Sequence, residues 1–330
     1  MKSVVSLFLI LLALLAAGCG KPQAAAPTAG GLARVRLQLD WFPQTEYGAY
    51  YQAQARGFYR EAGLAVEIVS GGPGVPAKDI VALGRADVGI SDGNDVIVAI
   101  SRGLPLVIVA AEMQRNPEGL LFHAAHPLAS FRDLAGRTLM AGPGSAWVQY
   151  LEKAQGIRFD LLPLTADLTS FLGDETMVRQ CFVTQEPFWA RQRGATVGTL
   201  LIAESGFDPY RVIYTRREFA AKEPETLRRF AAASLRGSAD FLHGDPAPAF
   251  AALAQVNRLM TPDVMTFSLG ELKTRRLVEG RVERGERPGL ITRERLAAQI
   301  AALQQLGLLG RPLTVDDVAR FDLLPESAPR

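Results

Sequence analysis

Residues 35–68 read VRLQLDWFPQTEYGAYYQAQARGFYREAGLAVEI, and their pattern decides the fold class. Val35 to Leu39 alternates apolar and polar side chains, as a half-buried strand does. Tyr47 to Arg56 has helical composition and stops at Gly57, a residue suited to the left-handed position that ends a helix. Phe58 to Ala62 repeats this on a smaller scale before Gly63, and Leu64 to Ile68 is the next strand. Working outward, a helix is expected over Ala77 to Leu83, a strand over Ala86 to Ile90, a helix over Asp95 to Ser101 and a buried strand over Leu104 to Ala111. This βαβαβ order predicts an α/β fold with a mostly parallel sheet and helices on both faces.

The pattern then restarts. Gly119 to Ala125 is strand-like, Ser130 and Gly136 bracket a short helix, and Arg137 to Ala141 is a strand that feeds the glycine turn and helix of Gly142 to Gly156. A strand follows near Arg158 to Leu164, and Cys181 to Gly194 reads as a short strand with Pro187 in the first turn of a helix. Tyr210 to Thr215 is a strand able to return the chain to the first lobe, and from Pro224 the sequence is almost all helix. The expected organisation is therefore two α/β lobes, residues 33–111 with 212–330 and residues 112–211, with a ligand cleft between them.

Composition narrows the function. The chain has 330 residues, 48% apolar and 21% charged, with 36 basic residues nearly matched by 34 acidic ones for a net charge of +2. A scattered, balanced charge gives no basic stripe for nucleic acid. Residues 1–18 read as a signal peptide: Lys2 precedes an apolar run too short to span a membrane comfortably, ending in Ala17-Gly18-Cys19. Small residues before a cysteine resemble a bacterial lipoprotein cleavage site, so Cys19 is the expected lipidation point and residues 19–32 a flexible tether. Cys181 is then the one cysteine left in the processed protein, which excludes an internal disulfide.

Metal chemistry finds little support, since His123, His126 and His243 show no ligand spacing with cysteine. Gly72 to Ala77, GPGVPA, follows a strand and matches a dinucleotide fingerprint, with Asp92 at a suitable distance. Pro73 and Pro76, however, remove two N–H groups that such a loop would aim at pyrophosphate. Gly142 to Ala146, GPGSA, offers a second glycine turn, in which Ser145 is a candidate helix cap and ligand contact and exposed N–H groups can receive a partial negative charge. In the aromatic stretch, Phe42 and Tyr51 read as core. Trp41 differs, because it follows Asp40 at the C-terminal end of a strand, where open α/β sheets bind ligands. An acid beside an indole plane suits a flat heterocycle that stacks while its N–H groups meet the carboxylate.

Five blocks carry a resemblance to a known family: LQLDWFPQTEYGAYYQAQARGFYREAGLAVEIV, DIVALGRADVGISDGNDVIVAISRGLPLVIVAA, DLAGRTL, TQEPFWARQRG and KEPETLRRFAAASLRGSADFLHGDPAPA. Together, over about Val35 to Leu324, the chain resembles the THI5/NMT1-like and SsuA-like solute-binding proteins of ABC importers. The resemblance implies the type II periplasmic binding protein fold, closing on a small molecule: thiamine pyrimidine precursors in some relatives, riboflavin, alkanesulfonates, taurine or nitrate in others. It puts Asp40 and Trp41 in the wall of the cleft. Gln44 stands where many pyrimidine binders have Asn, and Tyr47 departs from a nearby His. Ser91 and Asp92 end a strand at the cleft, and Glu186 falls where relatives use an acid against the amino-pyrimidine, although a carboxylate there also suits the following helix N-terminus. The family's pyrimidine synthase uses a PLP-bearing lysine, a sacrificial histidine and a cysteine cluster. Here Ser91 and Asp95 occupy the first two positions, and Glu204 to Tyr210 contains no cysteine. The expectation is a non-enzymatic, cofactor-free, lipid-anchored monomer at the extracytoplasmic face of the envelope, handing a heteroaromatic nutrient to a permease and its ATPase. A sulfonate, nitrate or taurine binder is one alternative; a thiamine pyrimidine synthase-like enzyme is a second, disfavoured by the missing lysine and cysteine cluster.

Overall fold

A computed structural model describes residues 31–323, apart from 143 and 166; the expected signal peptide, Cys19 and most of the tether lie outside these residues. The strands are β1 (Ala33–Gln38), β2 (Leu64–Val69), β3 (Val88–Asp92), β4 (Leu106–Met113), β5 (Glu118–His123), β6 (Thr138–Ala141), β7 (Asp160–Pro163), β8 (Val178–Phe182), β9 (Val197–Leu201) and β10 (Arg211–Arg216). They form two five-stranded sheets, ordered β2-β1-β3-β10-β4 and β7-β6-β8-β5-β9.

In β1 the alternation read from the sequence is realised: Val35 and Leu37 are buried while Arg34 and Arg36 are exposed. β1 runs parallel to β2 and β3, with Leu37 opposite Ile68 and Val88. The segment read as the returning strand is β10, which enters antiparallel between β3 and β4 and sets Ile213 against Ile90 and Ala110. In the second sheet β5 plays the same part, antiparallel to both β8 and β9 beside the parallel β6, β7 and β8. Each sheet thus takes as its reversed strand the first strand formed after the chain arrives from the other sheet. The second sheet's edge strand β9 was not foreseen. It is only five residues long and carries Gly198, where a Cβ would lie 2.4 Å from the Phe122 ring.

β4 ends its sheet, yet all eight of its residues are buried. Later segments cover its free edge: Ala111 N–H donates to Gly289 O at 3.1 Å, and Arg320 N–H to Ile108 O at 3.0 Å. An open strand edge is a pairing liability, and here the C-terminal helical region removes it.

The helix Gly48–Ala55 lies against Pro224–His243. Gly237 permits this close approach, since a Cβ there would meet Ala49 O at 2.3 Å. Phe230 stacks with Tyr59 at 5.6 Å and with Tyr50 at 6.3 Å, so Tyr50 and the buried Tyr51 belong to the core. Phe42, read as core, is instead 46% exposed. β1 has already ended at Gln38, and Phe42 sits beyond the sheet, edge-on to Trp41 at 5.6 Å.

The glycine loop after β2 supports that exposed segment. Gly71 N–H donates to Trp41 O at 3.0 Å, and a Cβ on Gly71 would fall 2.4 Å from Leu39 O and 2.6 Å from Trp41 N, both backbone atoms that cannot swing aside. Gly71→Ala should therefore lower stability by about 1–3 kcal/mol, the usual scale for overpacking. Gly173→Ala is the control: nothing lies within 4 Å of its added methyl. Chemical denaturation of both variants checks this, and equal stabilities would refute the backbone clash.

Candidate functional site

Asp40 lies just beyond β1 and is the first charge the chain presents at that end of the sheet. Tyr47 O–H donates to its Oδ1 at 2.5 Å, and Arg211 Nη2 approaches Oδ1 and Oδ2 at 2.9 and 3.2 Å. Arg211 opens β10, and its Nε meets Glu112 Oε2 at 3.1 Å near the end of β4. The Arg211 and Glu112 side chains are only 3% and 5% exposed. Burial works against the guanidinium charge, but Asp40 and Glu112 outweigh it and hold Arg211 firmly protonated. Burial raises the Tyr47 phenol well above its ordinary value, and adjacent Asp40 adds to this.

This geometry recasts two expected ligand contacts. Asp40 faces Arg211 and Tyr47, which take up most of its acceptor capacity, and Tyr47 is buried at 2% exposure. Gln44 is part-buried beside them, ahead of the helical turn Thr45–Tyr47. Trp41 remains the accessible plane, 40% exposed.

A second network runs from β3 toward the other sheet. Asp92 caps the helix Gly93–Ser101, its Oδ1 accepting from the N–H groups of Asn94 at 2.8 Å and Asp95 at 3.2 Å. Its Oδ2 accepts from Asn116 Nδ2 at 2.6 Å, and Asn116 Oδ1 accepts the N–H of Glu118 at 3.0 Å. Glu118 Oε1 in turn accepts from Trp147 Nε1 at 3.0 Å and from Gln180 Nε2. Gln180 Oε1 accepts Gly142 N–H at 2.7 Å, closing the chain on the second glycine loop. Ser91, one residue before Asp92, is buried in β3 opposite Val212. Ser145 occupies the position before the helix Ala146–Gln149, but its hydroxyl makes no capping bond, a correction to the cap read from the sequence.

Glu186 stands at the start of the helix Glu186–Gln192, where its Oε2 accepts Phe182 N–H at 2.8 Å; burial raises its carboxyl. The bond belongs to the turn before the helix. Nearby, Glu46 from the first lobe bonds Thr184 and lies 3.3 Å from Gln185 Nε2, while Phe182 lies 5.7 Å from the Arg211 guanidinium. Arg211 stands between the two networks: it bonds Asp40 and Glu112, and it is the cross-strand partner of Asp92.

Arg211, Glu112, Asn116, Glu118, Trp147 and Gln180 were not singled out in the sequence. Two carried a usable signal. Glu112 closes an otherwise apolar buried run, and Glu118 follows Pro117 at the first position of the strand entering the second sheet.

A family model described as NMT1/THI5 like matches residues 44–249, more than half of the chain. The chain belongs to the NMT1/THI5-like family. Among curated relatives, riboflavin-binding protein RibY of Chloroflexus aurantiacus is 28% identical over 73% of this chain and 74% of its own. The formylaminopyrimidine-binding protein of Halalkalibacterium halodurans is 32% identical over 42% of each chain. Among solved structures, the aliphatic sulphonate binding protein SsuA of Escherichia coli superposes with a TM-score of 0.67 at 15% identity, covering 92% of this chain and 95% of that one. At that identity the likeness concerns the fold, which is that of periplasmic binding proteins.

The buried carboxyls at this family member's junction give its stability a pH dependence. Burial, reinforced by nearby acids, pushes Asp92 up to about 7 and Glu118 up to about 8. In the unfolded chain both return to ordinary carboxyl values, so between those values and the raised ones the folded state holds more protons. Their contribution is present at low pH and is lost as pH rises through about 7 and about 8. Thermal melts from about pH 5.5 to about pH 9 should show a falling midpoint. Glu118→Gln should flatten the upper part of that fall; a midpoint that rises across the window would contradict the burial argument.

Proposed function

We propose that this chain is the ligand-capturing component of an ABC importer and that its ligand is a small, nitrogen-rich heteroaromatic compound held between the two lobes. The observation that carries this reading is the state of the junction's charges. One buried cation there, Arg211, is already paired with Asp40 and Glu112, and another, Arg179, is engaged by backbone carbonyls, while Asp92, Glu118 and Glu186 add carboxyl groups. An oxoanion entering this surround finds the Arg211 guanidinium already engaged by Asp40 and Glu112, so it would lose its water without gaining a free countercharge, an unfavourable exchange at low dielectric. The second glycine loop offers it little, since Gly142 N–H already donates to Gln180. A neutral or basic ring suffers no such penalty, and Trp41 gives it a plane on which to stack. The similarity to RibY, a riboflavin-binding protein, and to the formylaminopyrimidine-binding protein supports the same class. The sulfonate reading rests on likeness of fold.

No covalent chemistry is assigned. At the positions where the family's pyrimidine synthase carries its lysine and histidine, Ser91 is buried in β3 and Asp95 pairs with Lys78 at 3.3 Å. Neither Ser91 nor Asp95 supplies an amine for a Schiff base or a ring nitrogen for donation. In this reading the lobes hinge about residues 114–117 and 202–210, the protein acts as a monomer at the extracytoplasmic face of the envelope, and Cys19 carries the lipid anchor.

Titration calorimetry with riboflavin, a 4-aminopyrimidine and an alkanesulfonate tests the ligand class. The heterocycles should bind, and Trp41→Ala should weaken that binding by about 1–3 kcal/mol, the scale of base stacking on an aromatic side chain. Sulfonate binding with no heterocycle binding would reverse the assignment. For the anchor, Cys19→Ala should release the protein from the membrane fraction; an unchanged distribution, together with an N-terminal peptide of unmodified mass in the parent, would refute lipidation.

A further inference from the structure

The ligand reading just given leaves open which group meets the polar edge of the ring, and the second network points to one. We propose that Glu118 is the specificity-determining residue of the site and that it works as a hydrogen-bond donor through Oε2, selecting ligands that present an sp2 nitrogen or a carbonyl oxygen. The inference rests on the binding-protein reading above.

The argument begins with how firmly the side chain is held. Its backbone N–H donates to Asn116 Oδ1, which leaves the Asn116 amide nitrogen facing Asp92. On the other side, Gly142 N–H fixes Gln180 Oε1 as acceptor, so the Gln180 amide nitrogen is the end that meets Glu118. Trp147 Nε1 can only donate. Both donors converge on one carboxyl oxygen, Oε1. Neither bond involves Oε2, and Glu118 is not fully sealed from solvent, so in this proposal the second oxygen is the one that meets a molecule entering the junction.

That asymmetry decides where a proton resides. An oxygen receiving two N–H bonds keeps its lone pairs engaged, so a neutral carboxyl places its hydrogen on the other oxygen. Protonation itself follows from the surroundings. Burial pushes Glu118 up to about 8, Asp92 and then Asp95 repel a second negative charge, and the Trp147 bond and Arg211 oppose these effects without reversing them. Near neutral pH the group is therefore a carboxylic acid with its O–H at Oε2. A ring nitrogen or ring carbonyl completes that bond. A ligand offering only N–H groups sets donor against donor, an arrangement that leaves a desolvated polar pair unsatisfied.

The test uses the full chain with riboflavin and a 4-aminopyrimidine as probes, titrated from about pH 6 to about pH 9.5. For the parent protein, affinity should be level up to about pH 8 and then fall about tenfold per pH unit as the donor is lost. Glu118→Gln carries a permanent N–H donor, so its affinity should have no such fall. Glu118→Met keeps the length without a donor and should bind about tenfold more weakly than the Gln variant, the scale of one unmade hydrogen bond. Calorimetry of the parent above pH 8 in two buffers of different ionisation enthalpy should record proton uptake on binding. A purely structural role for Glu118 predicts an unchanged pH profile in the Gln variant, and that result would overturn the proposal. So would affinity that rises with pH, no proton uptake, or equal binding by the Gln and Met variants. Absence of binding by any probe to the parent would overturn the ligand reading itself, and this inference with it.

Discussion

The placement of Arg211 between Asp40 and Glu112 is the constraint on which the junction depends. One guanidinium ties the loop after β1, the end of β4 and the start of β10 together at 2.9 and 3.1 Å. Burying such a charge costs several kcal/mol, and the two carboxylates make it tolerable because each lies within hydrogen-bond reach. The net stabilisation is small by nature; the specificity is large. With Arg211 unpaired, a buried cation would remain in the sheet, so no arrangement that separates β10 from the 40–47 loop is accessible at low cost. Tyr47 completes the bracing from within that loop, and Trp41 is thereby held on a segment that has no sheet beneath it.

This dependence also explains what the sequence could and could not disclose. Strands β1 to β4, the glycine-terminated helices and the returning strand were legible because they follow from local periodicity and from residues with unusual backbone freedom. Gly57 and Gly63, read as helix ends, adopt φ of 78° and 72°. The site was less legible, because the role of a polar side chain is set by partners far away in the chain. Asp40 looks like a ligand acceptor beside Trp41, yet its partner Arg211 lies 171 residues later. Asp92 at a strand end looks like a cleft residue, and the structure gives it a helix to cap and Asn116 to hold. Phe42 misled for a related reason: aromatic composition signals burial only where another layer covers the residue.

The exchange of reversed strands gives the architecture a mechanical property. Each sheet contains a strand laid down directly after a connection between lobes, so the connecting residues are anchored at both ends by sheet hydrogen bonds. The connections themselves are residues 114–117, between β4 and β5, and residues 202–210, between β9 and β10. The C-terminal helical region bonds to both. Arg295 Nη2 donates to Gln114 O at 2.5 Å in one connection and to Asp208 O at 3.0 Å in the other, while Arg281 meets Asp208 Oδ2 at 2.5 Å.

One side chain thus holds both connections, and this couples them. A rotation that moved one connection relative to the other would have to stretch a charge-assisted bond at Arg295, whereas a rotation carrying both together keeps those bonds and disturbs only contacts across the junction. Those contacts are of two kinds. Glu46 with Thr184 and Gln185 joins a side chain of the first lobe to two of the second, and the Glu118 network belongs to the second sheet with one link, through Asn116, to Asp92. Asn116 belongs to the same connection as Gln114, whose carbonyl Arg295 holds. The Asp92–Asn116–Glu118 chain is therefore anchored within the connection itself, two residues from the bond that ties that connection to the other.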